Sequence, residues 1–193
     1  TAYEGSQARS DSHIYQLYES TLPQKGIPII HLDEGDQVLG LEPVDWNIVH
    51  PPAQFHPRLQ ADNNRSVVSL ISYGGIHLVL PGDLEKPGLQ EMLKNNQTLS
   101  NVDWLMAPHH GRSSGEPALC EQGMHPRFVV LSDYRDYPDA RQAYSSGGTT
   151  VFSTALDGAI EVEWNNDGTG RYRTYLTEPW QAFKMTVPVT PLK

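Results

Sequence analysis

Carboxylate and imidazole side chains stand at the ends of two short apolar segments, and both kinds of group can bind a metal. The segment at 76–80 is followed by Asp83, and the segment at 102–107 is followed by His109 and His110. Each apolar run is short enough to be a buried strand and stops at Pro or Gly. Carboxylate oxygens and imidazole nitrogens together suit Zn, Mn or Fe. These three residues are therefore candidate metal ligands and catalytic residues.

A helix between the two segments would bring these side chains together. Residues 87–97 place their apolar side chains on one face, which predicts a helix. A strand, a helix and a strand form a crossover unit in which the two strands run parallel, so their ends meet at one edge of the sheet. We therefore expect the carboxylate and both imidazoles to lie within ligand distance of a common centre.

Each candidate ligand has a structural alternative. Asp83 could cap a helix that follows it, and the two histidines could be loop residues without a ligand. Neighbouring side chains on an extended segment point to opposite faces, so joint binding by His109 and His110 requires a turn, which Gly111 permits. One histidine as a ligand, with the other supporting it or facing the substrate, is the more economical arrangement. The sequence does not favour either histidine.

Five more polar residues are candidates for contacts with the substrate or with the metal ligands: Asn64, Ser66, Arg112, Ser113 and Tyr137. Asn64 and Ser66 could hydrogen-bond an oxyanion, or they could form a turn and the start of a strand. Arg112 and Ser113 could contact a phosphate, or they could lie in a solvated loop. His50 and His56, each followed by Pro, are expected to be structural or loop residues.

These segments resemble the metallo-β-lactamase superfamily, and most closely the soluble domain of ComEC-type competence proteins. Residues 63–68 resemble the Asn-x-Ser lead into a core strand, and residues 80–85 resemble the Gly-Asp metal motif. Residues 107–114 resemble the His-His-Gly motif, and residues 128–132 resemble one of the last strands. The resemblance extends over residues 14–162.

The resemblance implies an α/β fold of the αββα sandwich type and a divalent metal, Zn or Mn. It implies that Asp83, His109 and His110 line the metal site, where metals activate water for attack on an ester. The implied substrate is DNA or another phosphodiester, degraded during DNA uptake. The alternative, from another functional class, is a non-catalytic scaffold or partner-binding domain with a degenerate metal site.

Two features depart from the family pattern. The motif His-x-His-x-Asp-His does not occur in these 193 residues, and Tyr137 stands where close relatives carry a His before Pro. Tyr137 is expected to fill that space as a packed ring or a phenol donor. We therefore expect an N-terminally incomplete sandwich with a partial ligand set and little hydrolase activity. We also expect its open sheet edge to be covered by the missing N-terminal segment or by a second copy.

The length of 193 residues predicts one domain, or most of one, and the resemblance implies that this single domain is metallo-β-lactamase-like. Residues 1–12 are expected to be a loop or a cut end, residues 13–176 the core, and residues 177–193 an extended tail. Cys120 is the only cysteine, so the chain has neither an internal disulfide nor a cysteine-based zinc cage.

The formal net charge of −9 argues against tight non-specific binding of DNA. A bound divalent metal would reverse the sign locally, so the charge does not exclude a phosphodiester substrate. No apolar run reaches the length of a membrane span. We expect a soluble domain, either the extracytoplasmic part of a membrane protein or a cytoplasmic stand-alone protein.

Overall fold

A computed structural model describes residues 1–5, 12–54 and 62–184 of the chain. The strands within these residues are β1 (Ala2–Gly5), β2 (Ile29–Leu32), β3 (Asp45–His50), β4 (Val68–Tyr73), β5 (Ile76–Leu80), β6 (Trp104–Met106), β7 (Phe128–Leu131), β8 (Thr150–Ser153), β9 (Ile160–Trp164), β10 (Thr169–Thr174) and β11 (Thr177–Lys184). The α-helices are α1 (His13–Gln24), α2 (Lys86–Asn95), α3 (Pro117–Met124), α4 (Pro138–Ser146) and α5 (Thr154–Asp157).

The central sheet has six strands in the order β3-β4-β5-β6-β7-β8. Strand β4 is antiparallel to both of its neighbours, β3 and β5, whereas β5 to β8 are parallel. Helices α2, α3 and α4 connect the parallel strands in turn. The predicted crossover of strand, helix and strand is confirmed, and it is repeated twice more. The carboxyl ends of β5, β6 and β7 therefore meet at one edge of the sheet.

One face of the central sheet packs against the helices. Apolar side chains of α2, α3 and α4 form the main core with those of the parallel strands; members of this core include Val79, Leu89, Met92, Leu105, Cys120, Met124, Val129 and Tyr144. Strands covered on both faces have near-continuous apolar sequences rather than alternating ones. The short apolar runs in the sequence have this character because the second face is also covered.

The other face packs against a second, antiparallel sheet with the strand order β11-β10-β9. An aromatic cluster fills the space between the sheets, with Trp104, Phe128 and Phe152 from the central sheet and Phe183 from the outer sheet. The ring centroids of Trp104 and Phe128 are 4.4 Å apart. The layers are thus helices, sheet and sheet, and the expected mixed α/β fold class is confirmed. Helix α1 buries none of its residues.

The structure has a strand on either side of the expected core, 13–176. The expected tail, 177–193, contains strand β11, because Phe183 is buried in the aromatic cluster. The expected loop or cut end, 1–12, contains β1, which pairs in parallel with β2. Residues 6–11, 55–61 and 185–193 lie outside the described residues, and His56 is among them.

Among the helices that are described, none combines the length and the apolar character of a bilayer span.

Candidate functional site

Two loops at the edge of the central sheet form a common rim. Gly82 and Asp83 follow β5, and a 3₁₀ turn at Pro108–Gly111 follows β6. The backbone N–H of His109 donates to the carbonyl oxygen of Gly82 over 3.0 Å, which joins the loops. Gly82 has a φ of 59°, and a Cβ there would lie 3.2 Å from the Cβ of Ser66. Both the left-handed conformation and the close approach of Ser66 therefore favour glycine at this position.

The two histidines occupy a left-handed turn. His109 has φ 47° and ψ 40°, His110 has φ 64° and ψ 10°, and Gly111 follows with φ 92°. The left-handed region costs a residue with a side chain roughly 1–2 kcal/mol. A turn was expected because both rings could not otherwise face one site, and the histidines themselves form it together with Gly111. Strain of this kind persists only where surrounding contacts impose it, and it is concentrated at functional sites.

His110 contacts Asp83 through one ring nitrogen and the backbone through the other. Its Nδ1 lies 2.9 Å from the carbonyl oxygen of Ser132. A carbonyl oxygen can only accept, so Nδ1 carries a proton and donates it. Its Nε2 lies 3.2 Å from Oδ1 of Asp83, and both side chains are more than two-fifths exposed. A histidine that binds a metal usually has its other nitrogen fixed by a backbone carbonyl or a carboxylate in this way.

His109 has different neighbours. Its Nδ1 lies 2.8 Å from Oγ of Ser114 and 3.4 Å from Oε1 of Glu85. Its Nε2 accepts from Nη1 of Arg112 over 3.5 Å. Both ring nitrogens of His109 are thus engaged by protein groups, and its ring centroid is 6.3 Å from that of His110. The structure brings together Asp83 and His110, while His109 pairs with Glu85 and Ser114.

Asp83 and His110 are suitably placed to bind one cation. Two ligands about 2.1 Å from a tetrahedral zinc are roughly 3.4 Å apart, and the observed separation of 3.2 Å is close to that value. Among residues 1–5, 12–54 and 62–184, no group of three or more His, Cys, Asp or Glu side chains is arranged to hold a metal. The described residues therefore offer a pair of candidate ligands rather than a complete cage.

Asp133 organises a second cluster on the same rim. The hydroxyl of Tyr137 donates to its Oδ2 over 2.7 Å, and the backbone N–H of Arg135 donates to its Oδ1 over 3.2 Å. Nη2 of Arg112 lies 3.8 Å from Oδ2. The hydrogen bond from Tyr137 is the main reason that the pKa of Asp133 is lowered. Tyr137 thus serves as a phenol donor, and its ring also packs against the main core.

Sequence reasoning missed Asp133, although a signal for it was present. Ser132 and Asp133 directly follow the apolar segment that forms β7. This is the same strand-end position that pointed to Asp83 after β5, two strands further along the parallel part of the sheet. Glu85 was missed as well. Its contact with His109 depends on the turn at 108–111, which brings that ring over the loop after β5.

Asn64 and Ser66 have structural roles in the described residues. Asn64 is only 2% exposed, and its Oδ1 accepts from the backbone N–H of Gly88 at the start of α2. Its carbonyl oxygen lies 2.8 Å from Nε2 of the buried His50, whose expected structural role is confirmed. Burial lowers the pKa of His50. Ser66 donates to the carbonyl oxygen of Asn63 over 2.8 Å. The turn interpretation, left open by the sequence, describes both residues.

A cavity of about 830 Å³ opens beside His109. It is lined by His109, Arg112, Ser113, Ser114, Arg135 and Tyr137, together with the first turns of α3 and α4. Its volume is within the range of small-molecule sites. Arg112 and Ser113, predicted as candidates for contacts with a phosphate, both lie on its wall.

A curated relative extends the sequence resemblance. ComE operon protein 3 of Bacillus subtilis (strain 168) is 27% identical to this chain over 151 residues, which is 74% of this chain and 19% of the relative. The chain is related to a ComEC-type protein. It spans about a fifth of the length of this relative, and the resemblance seen in the motifs is confirmed. No family profile matches the chain.

A solved structure shows a weaker likeness. It is that of a Parabacteroides distasonis protein (ATCC 8503) for which metal-dependent hydrolase activity has been proposed. It aligns with a TM-score of 0.47 and 15% sequence identity, and the alignment covers 71% of this chain and 62% of that one. A likeness at this level supports no conclusion about fold or activity.

Proposed function

We propose that this chain is a metal-dependent hydrolase domain of the ComEC type, in which Asp83 and His110 bind one divalent cation. The observation that carries the proposal is the orientation of His110. Its Nδ1 donates to the carbonyl oxygen of Ser132, so that Nε2 is presented to Asp83 over 3.2 Å. The similarity to ComE operon protein 3 supports the ComEC-type part of the proposal.

The residues around the pair suit hydrolysis of an ester. A bound cation, Zn or Mn, would act as a Lewis acid and favour a nucleophilic water at neutral pH. Ser132 keeps His110 in one tautomer, and the strained turn keeps its ring at Asp83. The guanidinium of Arg112 lies on the same rim, where it can stabilise negative charge that develops on the substrate.

The proposed substrate is a phosphodiester, and DNA taken up during competence is the specific candidate. Oxygen atoms of a phosphodiester are hard ligands that suit a divalent cation and a neighbouring guanidinium. The overall charge of −9 disfavours tight binding of a polyanion. Binding should therefore depend on the cation and on the few arginines of the rim.

The test is cleavage of DNA under single-turnover conditions with Mn²⁺ or Zn²⁺ in excess. Weak, metal-dependent cleavage is expected, because the described residues provide two ligands and catalytic zinc sites have about three. Asp83→Asn and His110→Ala should each abolish detectable cleavage, since each removes one of two ligands. His109→Ala should only lower the rate. A supporting residue typically contributes roughly 10- to 100-fold to activity or metal affinity.

Matched controls are available elsewhere in the chain. His31→Ala removes an imidazole from β2, and Asp45→Asn removes a carboxylate from β3. Both should leave cleavage unchanged. Absence of metal-dependent cleavage by the wild-type chain, or equal losses in the controls, would contradict the proposal. Such a result would favour the alternative of a non-catalytic domain with a degenerate metal site.

A further inference from the structure

The cavity beside His109 carries two guanidinium groups on one side. Arg112 and Arg135 both line it, and the side chain of Arg112 is 46% exposed. Asp133 holds these two residues in place: it lies 3.8 Å from the Arg112 guanidinium and accepts from the backbone of Arg135. An arginine presents its donors in a rigid planar fork that matches the oxygens of a phosphate. The wall therefore has the groups that bind a phosphate.

Carboxylates near this wall are largely paired with other groups. Glu116 forms an ion pair of 2.9 Å with Lys86, and Asp136 forms one of 2.8 Å with Arg141. Asp139, in the first turn of α4, also lines the cavity. The charge of the arginines is thus only partly offset at the place where a ligand would bind.

An aromatic ring lies next to one of the arginines. Tyr134 is 77% exposed, and Cζ of Arg135 lies 4.8 Å from its ring centroid. Nε of Arg135 donates to the Tyr134 hydroxyl over 2.7 Å, which holds the ring and the guanidinium together. Exposed aromatic rings combined with arginines are how proteins bind single-stranded nucleic acids. The ring stacks on a base, and the cation binds the backbone.

We propose that this surface binds one nucleotide of a single-stranded nucleic acid, with its phosphate at Arg112 and Arg135 and its base on the ring of Tyr134. Because Arg112 also contacts His109 on the candidate metal rim, the bound strand would lead from the cavity to Asp83 and His110. The substrate class rests on the proposed function, but the binding itself requires no catalysis.

The test is binding of a fluorescein-labelled oligothymidylate of about eight residues, measured by fluorescence anisotropy in EDTA. Saturable binding by the wild-type chain is expected. Arg112→Ala and Arg135→Ala should each weaken it about tenfold, the usual effect of losing a hydrogen bond to a charged group. Tyr134→Ala should weaken it about fivefold or more, since each base stacked on a ring contributes roughly 1–3 kcal/mol.

Arg171→Ala is the matched control, because it removes the same charge from β10 in the outer sheet, where Arg171 pairs with Glu163. Its affinity should stay within about twofold of the wild-type value, within the error of such measurements. Log affinity falls as log salt concentration rises, and each phosphate contact with a single strand contributes about 0.7 to the steepness of this slope. In the double variant Arg112→Ala with Arg135→Ala, which loses two contacts, the slope should be shallower by about 1.4. Circular dichroism should show all variants folded.

Three results would overturn the proposal. They are no saturation by the wild-type chain up to about 1 mM oligomer, a loss in Arg171→Ala equal to that in Arg112→Ala, and unchanged affinity in Tyr134→Ala. Because EDTA removes divalent metal, the result is separate from the cleavage test. Binding without any metal-dependent cleavage would contradict the hydrolase proposal alone. Metal-dependent cleavage together with binding in EDTA that is unchanged in the double variant would contradict the nucleotide-binding proposal and leave the assignment of Asp83 and His110 standing.

Discussion

At His109 and His110, the atoms next to each ring nitrogen determine what the residue can do. His110 meets a backbone carbonyl with Nδ1 and a carboxylate with Nε2, whereas His109 meets a hydroxyl with Nδ1 and a guanidinium with Nε2. The difference arises in the backbone, since two successive left-handed residues turn the rings toward different partners. A ring that is fixed by the backbone at one nitrogen and faces a carboxylate with the other is suited to share a metal with that carboxylate. A ring that meets a guanidinium is suited instead to position its neighbours.

Tyr137→Phe should show how the rim depends on Asp133. The Tyr137 hydroxyl lowers the pKa of Asp133 below its usual value of 3.8. The resulting stabilisation is fully present above pH 3.8 and is lost as the pH falls through the lowered pKa. The variant should therefore be less stable than the wild type at pH 7, and this deficit should shrink near pH 2. Urea unfolding at both pH values measures it.

Tyr175→Phe is the control for this experiment, because Tyr175 is 76% exposed. Its stability relative to the wild type should be the same at both pH values. A deficit of Tyr137→Phe that does not change with pH would show that the hydroxyl acts through packing rather than through the carboxylate.

Among the elements, the contact of α3 with the turn at 108–111 sets the position of the histidines. Gly115 precedes α3, and its N–H donates to the carbonyl oxygen of Arg112 over 2.9 Å. A Cβ at Gly115 would collide with the carbonyl oxygen of Pro108, the first residue of the turn. The buried thiol of Cys120, in α3, donates to the carbonyl oxygen of Gly115. Helix and turn therefore form one unit in which only glycine fits at the junction.

Gly115→Ala should destabilise the chain by about 1–3 kcal/mol, the usual cost of adding a methyl group to a tightly packed place. The turn must also move, so the ring of His110 should shift away from Asp83. Urea unfolding measures the first effect, and the ring resonances of His110 in NMR spectra report the second. Ser113→Ala, at an exposed position of the same loop, should change stability by less than about 0.5 kcal/mol. Unchanged stability of Gly115→Ala would mean that the junction is not tightly packed.

At the scale of the whole molecule, the site depends on a sheet that is covered on both faces. The helices cover one face, and the outer sheet covers the other through the aromatic cluster. Phe183 is central to this contact, with its ring centroid 5.5 Å from that of Phe128. Nη1 of Arg127 also donates to the carbonyl oxygen of Lys184 over 2.9 Å. The last described strand thereby holds the two sheets together.

Phe183→Ala should lower the free energy of unfolding by about 3–5 kcal/mol, as expected for a buried aromatic ring. Amide hydrogen exchange in β9, β10 and β11 should accelerate more than exchange in β5 to β7, because the outer sheet loses its main contact. Leu176→Ala, at a side chain that is 63% exposed, is the control and should cost less than about 0.5 kcal/mol. Uniform acceleration across both sheets would show that they unfold as one unit.

The sequence by itself determined the crossover at the centre of the molecule. The apolar runs before Asp83 and His109, with the amphipathic segment between them, indicated β5, α2 and β6. Periodicity and Pro or Gly at the ends are local signals, and a parallel crossover permits few arrangements. The sequence therefore also indicated that the residues after these strands share an edge.

Tertiary structure alone decided which histidine pairs with Asp83, that Arg112 lies beside Asp133, and that β11 belongs to a sheet. Each depends on groups far apart in the chain: His110 with the carbonyl oxygen of Ser132, Arg112 with Asp133, and Phe183 with the aromatic cluster. Residues at such separations leave no periodic trace in the sequence, because nothing local records which side chain will lie opposite. The left-handed turn at the histidines is of the same kind, since surrounding contacts must offset its strain.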